Sequence, residues 1–426
     1  MYVLYALSIL IINPLGRSLG DIWTQPKIAV LITLCAYNLQ IICEHKQVKL
    51  STSWWVVAIA FVIFLEDCLV ASILSPAGLV RSLVGHPLHR SGLVYWLLIV
   101  VFTLTNSLVL SIKPELLKQQ IKGFIWGSVI LAISIFPQIF HWTIDYTITN
   151  GHFYNGHILY SGIRKGYQPI GLYSHRGHAA FVLAAAAAGL LGSWKNKILT
   201  SRYLLFLPII ITALLLTQTR AAILALFAAI AFLVGDKRVV GISAIAALIL
   251  IMSISTTRNI EGIPILNKLT SDRVWIWKMS KDAISENPFG YGMDGFTIAH
   301  PQMRNIKKEI IFTPYTKSHN LALDWAISIG ISGCILYLLI FGYCFFTNKS
   351  PLLAVAIVYL IYTLTWFESG QFTHIAWWVL SLFNYEKNTN NFIFTADSTT
   401  SSSVESTARS RVPAKVKRIF RKVQAR

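Results

Sequence analysis

YLLFLPIIITALLLTQTRAAILALFAAIAFLV, from Tyr203 to Val234, is the stretch on which the reading of this chain turns. It is apolar throughout except for Thr217-Gln218-Thr219-Arg220. As one helix rising ~1.5 Å per residue it would extend about 48 Å, too far for a hydrocarbon core about 30 Å thick. Two membrane helices that meet at Arg220 remove the excess and place the polar run at a bilayer surface. The apolar residues are continuous rather than alternating, which predicts helices and not a β-barrel.

Blocks of the same kind recur on both sides. The expected spans lie near 2–13, 28–43, 54–75, 93–112, 121–140, 177–194, 203–219, 221–235, 239–256, 319–346, 351–366 and 372–385. They predict an all-α polytopic membrane protein of about twelve transmembrane helices, the first short enough to lie partly in the interface. The composition agrees. A soluble domain carries about 25% charged residues, whereas this chain has 13%, with 55% hydrophobic residues and a mean hydropathy of +0.59.

A formal net charge of +19 and a pI near 9.7 would suit a nucleic-acid binder, but the distribution of the charge does not. Much of the basic excess sits in loops and in the tail Arg409 to Arg426, where anionic lipid headgroups are the natural partner. No nucleic-acid partner is expected. Loops 44–53, 113–122, 193–202, 235–238 and 347–350 hold about eleven Lys and Arg, against about five in 13–27, 76–92, 217–220 and 367–371. The positive-inside bias puts the first set, and both termini, in the cytoplasm. Two longer loops, about 141–176 and 257–318, then face outward, the second a large loop between spans 9 and 10. In a Gram-negative cell that side is the periplasm. Residues 1–387 read as a membrane domain, and 388–426 as a Ser/Thr-rich, then basic, disordered cytoplasmic tail. Met1 to Ile12 lacks the basic start and small-residue site of a cleaved signal. Cys35, Cys43, Cys68, Cys334 and Cys344 fall in apolar segments without CxxC spacing, so they read as small core residues.

Three outward positions carry the chemistry of interest. Arg220 stands at the end of a span, where an arginine can also simply snorkel to headgroups. Arg273 opens Arg273-Val274-Trp275-Ile276-Trp277-Lys278, part of an interfacial helix expected over Asp272 to Glu286. Its bland reading is an ion pair with Asp272 or a lipid phosphate contact. The helix stops at Asn287-Pro288, before the tight turn Gly290-Tyr291-Gly292-Met293-Asp294-Gly295. His319 opens the tenth span in Ser318-His319-Asn320, where Ser318 is placed to cap the helix. The outward histidines His141, His152, His157, His175 and His178, with Arg176 beside the last two, lack the spaced carboxylate or thiolate of a metal site. Neither a metal nor a cofactor is expected, and no GxSxG, Walker or HExxH motif occurs. Glu66-Asp67, inside the third span, are expected to face the bundle interior and pair there.

Taken together, Leu216-Thr217-Gln218-Thr219-Arg220-Ala221, Arg273-Val274-Trp275-Ile276-Trp277 leading to Pro288-Phe289-Gly290-Tyr291-Gly292, and Ser318-His319-Asn320 before Gly330-Ile331-Ser332-Gly333 resemble the O-antigen ligase and polymerase superfamily. The resemblance covers roughly 170–345; the first five spans match in hydropathy alone. It implies a bacterial inner-membrane glycosyltransferase that handles glycans carried on undecaprenyl diphosphate, with its site facing the periplasm. The Thr-Gln-Thr-Arg-Ala run is closest to ligases that attach O-antigen to a sugar hydroxyl of lipid A-core. The paired arginine-x10-glycine pattern of many polymerases occurs here only from Arg81 to Gly92.

The resemblance implies catalytic roles for Arg220, Arg273 and His319, and substrate contacts for Arg220, Arg273, His175, Arg176 and Asn320. Physical chemistry suits the carry-over. A departing diphosphate gathers negative charge, which two guanidinium forks can clamp without a metal, leaving an inverting transfer. An imidazole is suited to take the proton of an acceptor hydroxyl. Should a metal be needed, Asp272, Asp294 and Asp324 are the first carboxylates to suspect. Two alternatives stay open: a polymerase joining undecaprenyl-linked repeat units, and a transporter with an ion path along Glu66-Asp67.

Overall fold

The computed structural model describes residues 1–16, 18, 20–45, 50–87, 89–139, 169–235, 273–300 and 316–385. The tail, the span expected near 239–256 and most of the two long loops lie outside the described residues. Residues Met1–Tyr385 form one compact unit, and Glu386–Arg426 are a second. The described residues contain helices and no strand. In chain order they are α1 (Tyr2–Leu10), α2 (Gln25–Glu44, led in by a π-helical turn at Gly20–Thr24), α3 (Thr52–Ile73), α4 (Leu79–Val84) and α5 (Leu93–Ile112). There follow α6 (Leu116–Ile139), α7 (Arg176–Lys195), α8 (Leu207–Leu216), α9 (Arg220–Val234), α10 (Val274–Glu286), α11 (Leu321–Thr347), α12 (Ala354–Thr363) and α13 (Thr373–Leu380). Among the described residues, six helices are long and apolar enough to cross a membrane: Gly20–Glu44, α3, α5, α6, α7 and α11. Three shorter apolar stretches, Ser201–Leu216, Arg220–Val234 and Pro351–Thr363, accompany them.

The break expected at Arg220 is present. Thr217 Oγ1 donates to Leu214 O at 2.6 Å, closing α8, and Gln218 takes a left-handed φ of 52° before α9 begins.

At the centre is α7, whose run Ala184 to Ala188 is wholly buried. Small side chains let α6, α8, α9 and α12 approach its backbone closely, the packing that helices use where lipid supplies no hydrophobic drive. Lys195 Nζ donates to Leu233 O, joining the last turns of α7 and α9, so these two helices run parallel. A Cβ on Gly192 would meet Pro351 O at 2.6 Å, and one on Gly177 would meet Tyr362 and Trp366 at 2.8 Å. Hence α12 runs opposite to α7. The starts of α7 and α9 share one end of the bundle with the last turn of α12, hereafter the site end. In α2, buried Lys27 donates to the carbonyl of Ile11 at 2.9 Å, satisfying an orphan group past the end of α1.

One expected span is not a single rod. Residues 321–347 bend at Ile329 (φ −127°, ψ 17°) and Gly330 (φ 77°, ψ 176°). Residues twelve apart in a straight helix stand about 18 Å apart along the axis. Yet the rings of Trp325 and Tyr337 stack at 4.6 Å, and Cys334 Sγ lies 3.3 Å from Ala322 O. The 27-residue run has a membrane span's length on paper, but only its second part, 331–347, continues straight. The glycine turn after α10 covers the bend. Ile331 N donates to Pro288 O at 3.3 Å instead of closing a helical turn onto Ile327. The released Ile327 and Ser328 carbonyls accept from Tyr291 N at 2.7 Å and Gly292 N at 2.9 Å.

Three further expectations are corrected. Glu66 does not face the interior: α3 buries Phe61, Phe64, Cys68 and Ala71, which puts exposed Glu66 on the opposite face, while Asp67 is half-buried. Cys43 is exposed, although the other four cysteines are buried. Ser318 is not the cap of α11; Asn320 is, its side-chain oxygen accepting from Ala322 N at 3.1 Å and Leu323 N at 3.2 Å.

The bend depends on glycine at both contacting positions. A Cβ on Gly290 would stand 2.6 Å from Gly330 N, at a φ of 93° that L side chains rarely adopt. Gly290→Ala is therefore expected to lower the thermal midpoint of detergent-purified protein by several degrees. Gly342→Ala, where a Cβ meets nothing within 4 Å, is the matched control and should be silent or slightly stabilising.

Candidate active site

Four segments distant in sequence meet at the site end: the start of α7, the first turn of α10, residues 316–320, and the 364–372 loop between α12 and α13. Trp366 is their meeting point. The Arg273 guanidinium lies over its ring, 4.7 Å from the centroid, and also donates to the carbonyl of Thr365. The His175 ring stands 5.2 Å from that of Trp366, and the His319 ring 5.5 Å, edge-on at 81°. Phe367, stacked on Trp366 at 5.7 Å, meets the His319 ring at 5.0 Å. Burying a guanidinium against an indole face compensates part of its desolvation.

His319 is held unusually. Its φ of 59° is left-handed, a conformation that non-glycine residues adopt mainly under local constraint. Its Nδ1 lies 3.1 Å from the carbonyl oxygen of Lys317. A carbonyl can only accept, so that contact requires the proton on Nδ1 and the lone pair on Nε2. Burial, followed by the charge of Arg273 and then by His175, pushes the ring down to about 3, against an opposing effect of the Lys317 carbonyl. Burial, Arg176 and Arg273 likewise push His175 down to about 4. Both rings are thus neutral at physiological pH.

Beneath this cluster lies a second layer. Lys317 Nζ and Asp294 Oδ1 form a buried ion pair at 2.7 Å. His89 Nε2 is 2.9 Å from Thr316 Oγ1, and its ring lies 5.4 Å from that of Phe367. Asp324 Oδ1 accepts from Ser318 N at 2.7 Å, and the indole of Trp277 donates to Ser318 O at 3.1 Å. Glu368 Oε2 accepts from the Tyr359 hydroxyl at 2.9 Å; burial lifts this carboxyl to about 8, although Lys317 and Tyr359 pull it down.

The geometry sorts the residues singled out from sequence. Arg273, His319 and His175 come together at Trp366, and Arg176 and Arg273 both act electrostatically on Tyr362. Arg220, the first residue of α9, is exposed at the same end. Among the described residues no hydrogen bond or ion pair joins it to the cluster. Asn320 is fully buried, its oxygen committed to the helix cap and its amide donating to Leu364 O at 3.1 Å. Asp272, the partner expected for Arg273, lies outside the described residues, as do His141, His152 and His157. Among the described residues no three His, Cys, Asp or Glu side chains are placed to hold a metal. Trp366, Phe367, His89 and Lys317 were not singled out as site residues, and Asp294 was named only as a fallback metal carboxylate, not as the partner of Lys317. Two signals were available: Lys317 stands two residues before His319, and Asp294 closes the glycine turn.

Fold and site together define a class: a multi-pass helical membrane protein with a cationic, histidine-bearing site at one end of its bundle. Residues 203–338 match the family model described as O-antigen ligase, a segment that contains Arg220, Arg273 and His319. The match supports, for that segment, the O-antigen ligase superfamily, whose members are glycosyltransferase-like ligases and polymerases. A search of curated proteins found no match.

The electrostatics are testable without substrate. In protein with ¹⁵N-labelled histidine, His319 should remain neutral, with its proton on Nδ1, from pH 8 down to about pH 5. A titration midpoint near an ordinary ~6.5 contradicts the burial and charge environment described here.

Proposed function

We propose that the protein is an O-antigen ligase of the bacterial inner membrane, which transfers a glycan from undecaprenyl diphosphate to a sugar hydroxyl of lipid A-core at the periplasmic face. The observation that carries this reading is the convergence of Arg273 and His319 on Trp366, with His319 Nδ1 held 3.1 Å from the Lys317 carbonyl oxygen. His319 Nε2 takes the proton of the acceptor hydroxyl as its oxygen bonds to the anomeric carbon of the donor. The bond from that carbon to the diphosphate breaks, and the diphosphate departs with the electron pair, so the anomeric centre inverts. Arg273 receives the charge that gathers on the leaving group, in a geometry that matches phosphate oxygens two at a time.

Arg220 is assigned to the same anion as it approaches from the rim, and Arg176, with His175, to its inner side. Asn320 contributes by holding the His319 segment. The complete chain is assigned about twelve spans, with both termini cytoplasmic and loops 141–176 and 257–318 periplasmic, from the distribution of Lys and Arg. A transporter reading relied on Glu66 lining an interior path, and Glu66 lies on the outer face of α3.

Arg220→Lys, Arg273→Lys and Arg176→Lys should each lose transfer where bidentate contact matters, since lysine offers a point charge without the fork. His319→Ala should lose about 10²–10⁴-fold. Purified protein should transfer in excess EDTA. Parental transfer by Arg273→Lys and His319→Ala, at normal membrane abundance, would end the proposal. A silent Arg220→Lys beside an impaired Arg176→Lys would move the second grip to Arg176.

Deletion of the protein, read by glycolipid electrophoresis, separates the two family activities. A missing ligase leaves core without O-antigen, whereas a missing polymerase leaves core bearing one repeat unit. The topology is checked by impermeant thiol labelling in intact cells. A cysteine at Thr297 should react and one at Ser402 should not; the reverse pattern would put the site on the wrong side.

A further inference from the structure

Asp294 closes the glycine turn in a left-handed conformation, φ 57°, and its side chain is buried. Its carboxylate accepts from His86 N at 2.8 Å, from Ser91 Oγ at 2.7 Å and from Lys317 Nζ at 2.7 Å. Gly85 is so close that a Cβ there would stand 2.5 Å from Asp294 Oδ2. One carboxylate therefore gathers the 85–92 loop, the turn after α10 and the 316–320 segment. The backbone of Lys317 in turn supplies the carbonyl that orients His319.

Such burial is poorly explained by stability alone. Taking an ammonium and a carboxylate out of water cancels much of their attraction, and the best-attested use of such pairs is to select one arrangement. The surroundings keep this pair charged. Burial works to lower Lys317, but Asp294, Asp324 and Glu368 hold it above the usual lysine range. Burial works to raise Asp294, but Lys317, His89 and hydrogen bonds from Lys317 and Ser91 hold it below the usual carboxylate range. A cavity of ≈ 10 Å³ lies against the pair, lined also by Asp324, Ser328 and Glu368. That is about the room of one water, which polar walls of this kind would retain.

We propose that Lys317 and Asp294 are the positioning pair of the site: by clamping three distant segments, they hold the Lys317 carbonyl where it fixes His319 with its proton on Nδ1. Neither residue is assigned contact with substrate. The inference rests on the reading of His319 as general base. It adds a requirement for a buried charge pair that belongs to neither the guanidinium grip nor the base itself.

The test uses the full-length protein in detergent, with a lipid-linked glycan donor and a lipid A-core acceptor. The variant Asp294→Asn/Lys317→Met removes both charges at nearly constant volume. It should reach the membrane, keep donor KM within about 2-fold, and lose at least about 10-fold in kcat, the pattern of lost positioning rather than lost binding. Histidine ¹⁵N spectra of the same variant should show His319 no longer confined to the Nδ1-protonated form. Lys317→Met alone should be less stable than the double variant, because Asp294 is left buried without its cation. In that single variant Asp294 binds a proton more readily folded than unfolded, so its stability deficit against the parent should shrink as the pH falls.

Should the double variant fail to accumulate, Ser91→Ala keeps the ion pair but removes one anchor, and should lower kcat by about 3-fold. Parental kcat and an unchanged His319 tautomer in the double variant, or in Ser91→Ala if only that one folds, overturn the positioning role. Parental transfer by His319→Ala would instead remove the reading on which the role rests.

Discussion

In α11, the hydrogen bond that Ile331 would make to Ile327 is exchanged for bonds to the glycine turn, and the site end is built around that exchange. A bend in a membrane helix exposes backbone groups that lipid cannot satisfy, so it persists only where protein supplies partners. Here Tyr291 N and Gly292 N take the released carbonyls, while Pro288 O takes the released amide. Gly290 and Gly330 permit the contact because neither carries a side chain. Two glycine motifs some forty residues apart are therefore halves of one joint. The joint aligns α10, which carries Arg273 at its start, with the 316–320 segment leading into α11, which delivers His319.

What the joint positions is a site whose charges are tuned by exclusion of water. His319 and His175 are kept neutral by burial and by neighbouring guanidinium groups. A neutral imidazole beside cations accepts a proton reluctantly in the resting state. Arrival of a dianionic leaving group would offset the cations and raise the affinity of the ring for a proton. In this account donor binding and base strength are linked through the same two charges, and Trp366 is the surface against which both are held.

Much of this was legible in sequence, for identifiable reasons. Thr217-Gln218-Thr219-Arg220 interrupts an otherwise apolar run, so the break between α8 and α9 announces itself. Asn287-Pro288 ends α10 where backbone chemistry says it should. The bend at Gly330 was not legible, because glycine is common in membrane helices and the flanking residues are uniformly apolar. Glu66 was misplaced by a general rule about charges within spans. The spacing Phe61, Phe64, Cys68 and Ala71, read as a helical face, points away from it. Arg273 and His319 were visible as motifs, but their common partner Trp366 was hidden as the last residue of an expected span. Position beside His319 and at the glycine turn marks Lys317 and Asp294 singly, but their pairing depends on a fold that brings together residues 23 apart in the chain.

The central claim is a single direct displacement: an acceptor hydroxyl, deprotonated by His319, attacks the anomeric carbon as the diphosphate leaves under Arg273. Attack and departure on opposite faces of that carbon dictate the stereochemistry. The most direct measurement is the anomeric configuration of the new glycosidic bond, compared by NMR with that of the lipid-linked donor. The account predicts inversion in every turnover. Retention would require a double displacement or attack on the face from which the diphosphate departs, and either would contradict it.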